Sequence, residues 1–151
     1  MPRVLVASDG SNVAITAARR AVSLLPPDSE ITVIAVAPLI SPVTGMPQAG
    51  TYPGPLVDPV TIDEVAAARR QSASDDVDAT VAALGIDAVR RVEHGDPAET
   101  ICEVARTGGF DLIVVGSHGA GFLKRALLGS VSQDVLHHAP CPVLVVRHVE
   151  A

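Results

Sequence analysis

The sequence predicts an α/β domain: a single doubly wound, five-stranded parallel sheet, order 3-2-1-4-5, with helices on both faces. Three observations lead there. Short aliphatic runs alternate along the chain with segments whose apolar residues recur at helical spacing. Several of the runs are apolar throughout, the pattern of strands covered on both faces in a parallel sheet. The resulting order, β-α-β-α-β-α-β-loop-α-β, means parallel strands joined by right-handed crossovers. The strand order itself is an expectation from the habits of such sheets.

Bulk properties bound the reading. The chain has 151 residues, enough for one domain over 1–151. Hydrophobic residues make up 48% and aromatics 2%, so the core must be aliphatic and needs no metal or disulfide. Eleven basic against seventeen acidic residues leave a net charge of −6, which argues against nucleic-acid binding, a function that needs a basic face. Arg19-Arg20, Arg69-Arg70 and Arg90-Arg91 sit in three separate segments and read as solvated faces. No apolar run of about 18 residues is present, so no membrane span is expected. The start, MPRVLVASDG, has no signal-peptide character. Cys102 and Cys141 form no CxxC and lie among apolar neighbours, which predicts free buried thiols and a cytoplasmic setting.

The first strand is Val4–Ala7, ended by Ser8-Asp9-Gly10. A helix follows from Ser11 to Leu25, with apolar residues at 14, 17, 18, 21, 22 and 25, and Pro26-Pro27 stops it. Ile31–Ala37 is the second strand. Residues 38–60 hold six of the twelve prolines together with Gly45, Gly50 and Gly54, and predict a loop without secondary structure. That loop either folds over the mouth of a site or is a surface excursion. Thr61-Ile62-Asp63-Glu64 has capping-box form and should open a long helix to about Leu84, stopped by Gly85. Asp75, Asp76 and Asp78 on it read as a solvated face. Ala88–Glu93 is a more polar, edge-like strand. Asp96-Pro97-Ala98-Glu99 starts the next helix, which ends at Gly108-Gly109. Leu112–Val115, a helix over Ser130–His138 and a last strand over Val143–Val146 complete the chain.

The unusual residues cluster after strands one and four. From Val114 to Ser132 the chain leaves a strand and passes glycines at 116, 119, 121 and 129; it also crosses its only lysine, Lys124, beside Arg125. Bare main-chain N–H groups in such a loop, followed by a helix start, suit phosphate oxygens. Gly116 and Gly121 have Walker spacing, but Phe122-Leu123 stand where Lys and Ser or Thr belong; the SDGSN after strand one is no GxGxxG. A P-loop ATPase and an ordinary dehydrogenase are both disfavoured. In the strand order 3-2-1-4-5, strands one and four flank the switch point where doubly wound sheets take their ligands.

GSHGAGFLKRALLGS fits the pattern G-x2-G-x9-G-(S/T) through Gly116, Gly119, Gly129 and Ser130. It resembles the ATP-binding branch of the universal stress proteins, as do VLVASDGS at the start, HGDPAETI at 94–101 and APCPVLVVR near the end. The resemblance implies an adenine nucleotide α-hydrolase-like sheet, a homodimer through the C-terminal strand, and ATP (or another adenine nucleotide) bound with Mg2+. It implies that Ala7, Ser8 and Asp9 meet the nucleoside and that Val36 offers its main chain to the adenine edge. Gly116, Ser117, His118, Gly119, Gly121, Gly129, Ser130, Val131 and Ser132 would then line the ribose and phosphates. His118 is a neighbour of the ligand and not a base. Lys124 and Arg125, on charge grounds alone, either reach phosphates or are solvated. Ser130–Gln133 also reads as a capping box, in which Ser130 starts the helix while the helix end still holds a phosphate. The function expected is nucleotide-responsive stress regulation with at most slow hydrolysis. An adenylating enzyme and a nucleotide-free interaction module stand as alternatives.

Overall fold

A computed structural model of the chain describes residues 1–39, 59–117 and 128–147. Its elements are β1 (Arg3–Ala7), α1 (Asn12–Leu24), β2 (Glu30–Ala37), α2 (Pro59–Leu84), β3 (Val89–His94), α3 (Pro97–Gly108), β4 (Leu112–Gly116), α4 (Ser130–His138) and β5 (Val143–Val146). The five strands form one sheet in the order β3-β2-β1-β4-β5, every pair parallel. This is the predicted order.

Alternation along the strands sorts the core into two layers. Val4, Val6, Val33 and Val114 point to one face, where Ala18 and Ala21 of α1 and Ala73, Val77 and Val81 of α2 cover them. Leu5, Ile34, Ile113 and Val115 point to the other, under Ile101, Cys102 and Ala105 of α3 and Val135 of α4. With almost no aromatics, small alanines let helix and sheet approach closely. The two cysteines are free, as predicted, but Cys141 is only half-buried.

Helix ends follow local chemistry. Ser11 Oγ accepts the Ala14 N–H at 3.1 Å and caps α1. Asp96 Oδ2 accepts the Glu99 N–H at 3.0 Å, Pro97 fills the first turn of α3, and Gly109 closes it at φ 63°. Two expectations are corrected. α2 starts at Pro59, inside the predicted 38–60 loop, so Thr61 lies within the helix and does not cap it; proline is tolerated there because first-turn N–H groups have no intrahelical partner. β3 runs one residue later than expected and leaves Ala88 buried in the core. The rest of that loop, 40–58, lies outside the described residues.

Candidate functional site

β1 and β4 are hydrogen-bonded neighbours, in register Val4↔Leu112 to Val6↔Val114, while the chain leaves them for opposite sides of the sheet. Beyond their C-terminal ends lies a cavity of about 470 Å³. One bank is formed by Gly116, Gly129, Ser130, Val131 and Ser132, the other by Ala7, Ser8, Asp9 and Val36. Ile34, Pro97, Ile101 and Val115 supply apolar wall. Residues from 7 to 132 thus meet in one crevice because the sheet is wound twice from its centre.

The first bank is a helix N-terminus. Gly129 is the N-cap of α4 and brings no side chain to cap that helix. The N–H groups of Ser130, Val131 and Ser132 occupy the first turn, where no intrahelical carbonyl is available. The capping-box reading of Ser130 is therefore corrected: Ser130 is the first helical residue and exposed, and Gln133 turns its amide to the Leu128 carbonyl at 2.9 Å. Ser132 is buried, and its hydroxyl donates to the Gly116 carbonyl at 2.5 Å, pinning α4 to the end of β4. Ser117 is not in the lining. It is buried, its N–H donates to the Val146 carbonyl at 2.9 Å, and its carbonyl takes the Gly129 N–H at 2.7 Å. Ser117 thereby ties the end of β4 both to β5 and to the N-cap of α4. His118, Gly119, Gly121, Lys124 and Arg125 lie outside the described residues.

The second bank is acidic. Asp9 is exposed, and its Oδ1 accepts the Ser11 N–H at 3.0 Å. The β1 ladder ends at Ala7↔Ile34, with the Ser8 N–H donating to the Ile34 carbonyl, while the Ala37 carbonyl faces β3 and takes the Gly95 N–H. Main-chain groups alternate sides along a strand. The N–H and C=O of Val36 therefore point to the β1 side, past the last residue of β1.

The whole-chain comparison is decisive for the family. The model of the universal stress protein family matches residues 1–147. The chain belongs to the universal stress protein family. Universal stress protein MJ0531 of Methanocaldococcus jannaschii is 34% identical over 146 residues, 96% of this chain and 81% of that one. Among solved structures, a universal stress protein in complex with cAMP superposes at TM-score 0.59 with 23% identity over 98% of both chains. A family protein from Arabidopsis thaliana with AMP bound superposes at 0.61 with 19% identity, over 99% of this chain and 93% of that one. At these identities the two structures establish a common fold.

In this universal stress protein the crevice also takes residues that the sequence reading missed. Asp76 of α2 lines it and is only partly exposed, so the solvated-face reading of the acidic cluster holds for Asp75 and Asp78 alone. Those two meet Gln71 and Arg90 at the surface. Burial, then the charges of Asp9 and Asp75, push the Asp76 carboxyl above its usual range. Thr80, fully buried one turn on, donates its hydroxyl to the Asp76 carbonyl at 2.7 Å. That uses its only proton, so the 2.8 Å contact with Ser8 Oγ has Ser8 donating to Thr80. Ser8 Oγ in turn accepts the Gly10 N–H at 3.2 Å. The Ser8 hydroxyl lines the cavity but is spent on bracing α2 against the end of β1. A signal for this was present: Ala73, Val77 and Val81 form the buried stripe of α2, and positions 76 and 80 fall on that same face.

Proposed function

We propose that the chain binds an adenine nucleotide in the crevice between β1 and β4 and acts as a nucleotide-responsive regulator in the stress response. One observation carries this reading: a helix N-terminus whose N-cap is a glycine, opening on a 470 Å³ cavity with an apolar wall and a carboxylate bank. Phosphate suits the amides and the positive end of α4, a purine suits Ile34, Val36, Ile101 and Val115, and ribose hydroxyls suit Asp9. The AMP and cAMP held by the two structures of the same fold support an adenine ligand. ATP is the form proposed for this chain. Among the described residues no group of three or more His, Cys, Asp or Glu is placed to hold a metal ion. Mg2+ would therefore enter on the phosphates of the nucleotide, and its chemistry is charge shielding. The reading is one of binding with at most slow hydrolysis.

The proposal includes a homodimer through β5 and a cytoplasmic location, which two free thiols suit. Among the described strands β5 pairs with β4 alone, and it consists of Val143, Leu144, Val145 and Val146. The opposite edge, β3, is fenced by Arg90–Asp78 and Arg91–Glu93 ion pairs. An uncharged edge invites a second strand, and a charged edge does not. Equilibrium dialysis against ATP, AMP and cAMP, with light scattering for mass, tests both parts. Saturable uptake of ATP at one per chain and a mass twice that of the chain are expected. No uptake of any of the three would refute the binding site.

A further inference from the structure

Asp76 adds something to the crevice that Asp9 alone does not. A Cβ placed on Gly10 would collide with Asp76 Oδ1, so the carboxylate packs directly on the β1–α1 turn, next to Asp9. The Ser8–Thr80 hydrogen bond and the Thr80 hydroxyl on the Asp76 carbonyl fix that stretch of α2 in place. Two carboxylates from different elements therefore stand together on one bank of the cavity, and the other bank is the N-terminus of α4. The cavity is bipolar. A ligand that puts phosphate on the α4 amides and a purine on the apolar wall has its sugar left for the acidic bank.

We propose that Asp76 is a specificity-determining residue, which with Asp9 makes the cavity accept a ribose with free 2′- and 3′-hydroxyls and reject one whose 2′ or 3′ oxygen bears a phosphate. Carboxylate oxygens accept hydrogen bonds from hydroxyls and have none to give a phosphate. Burial and the neighbouring Asp9 charge already push the Asp76 carboxyl up, and an incoming phosphate meets the same repulsive field. This inference rests on the nucleotide-binding reading above.

The test compares AMP with adenosine 3′,5′-bisphosphate and adenosine 2′,5′-bisphosphate by calorimetry, on the full chain and on Asp76→Asn. Each carboxylate within several ångströms of an added phosphate is worth about tenfold in affinity. The unaltered chain should hold AMP about a hundredfold more tightly than either bisphosphate, with the ratio shrinking as salt rises. Asp76→Asn should narrow the ratio about tenfold. A merely structural role would weaken all three ligands alike and leave the ratio as it was. Asp76→Ser, checked by circular dichroism, gives the same comparison if the amide variant misfolds. If AMP binds but the ratio is near one, or is the same in the variants, the inference is wrong and the nucleotide site stands. If none of the three binds, both fall.

Discussion

The two ends of the sheet are built differently. At the N-terminal end of β1, Arg3 ties everything together. Its main-chain N–H donates to Asp111 at 2.8 Å, its guanidinium donates to the Gly108 carbonyl, faces Glu30 and lies 4.9 Å from the Phe110 ring centre. The Asp111 N–H returns a bond to the Arg3 carbonyl, and the Glu30 N–H donates to the Pro2 carbonyl. Donors and acceptors at this end answer one another. At the C-terminal end the first-turn amides of α4, the main chain of Val36 and two carboxylates face a cavity instead. One end is tied together by the fold; at the other, polar groups line a cavity. Substitutions at the first should cost stability alone, and those at the second binding first.

The largest effect is expected from Gly129→Val. Gly129 sits at φ −61°, ψ 157°, which valine also adopts, so the fold should survive with a loss of about 1 kcal/mol from a poorer N-cap. Two methyl groups would then stand before the α4 amides, and nucleotide affinity should fall at least about a hundredfold (about 2.7 kcal/mol) in dialysis. Retained affinity would break the contrast between the ends. Gly10→Ala comes next. Gly10 has φ 74°, and an added Cβ meets Asp76 Oδ1, so about 1–3 kcal/mol should be lost in urea unfolding, with weaker binding as well. Asp76→Ala in the same chain should return part of that loss. Arg3→Ala should cost about 1–2 kcal/mol and leave nucleotide affinity within about twofold; its ion pair with Glu30 is half-exposed and adds little.

How far this contrast was visible in the sequence depends on what each residue had to reveal. Aliphatic runs such as Ile31–Ala37 and caps such as Ser11 and Asp96 act locally, so elements and strand order followed. Of the cavity lining, Gly116, Gly129 and Asp9 were legible in the sequence. Asp76 was not, because three acids within four positions look like solvent-facing charge until the stripe of Ala73, Val77 and Val81 fixes which way the helix faces. Nor could the sequence say that Ser8 and Ser132 spend their hydroxyls on Thr80 and Gly116, since hydroxyl partners are set by tertiary distance. Pro59 was counted with the loop prolines, although a helix start accepts proline.

The smallest effect is a pH dependence of the acidic bank. The folded Asp76 carboxyl titrates above its unfolded value, so it holds its proton more tightly when folded. Its contribution to stability is fully present below the unfolded value and is lost as pH rises through the folded one. Asp76→Asn lacks that loss. Thermal midpoints measured from about pH 4 to about pH 7 should therefore shift progressively in favour of the variant. A gap that stays constant with pH would remove the electrostatic account of this bank.

The most direct test of the central claim is a titration of 15N-labelled chain with ATP, followed by amide chemical shifts. The account predicts that Ser130, Val131, Ser132 and Val36 shift together and saturate at one nucleotide per chain, while Arg3 and Asp111 stay in place. Shifts confined to the Arg3 end, or none at the start of α4, would contradict it.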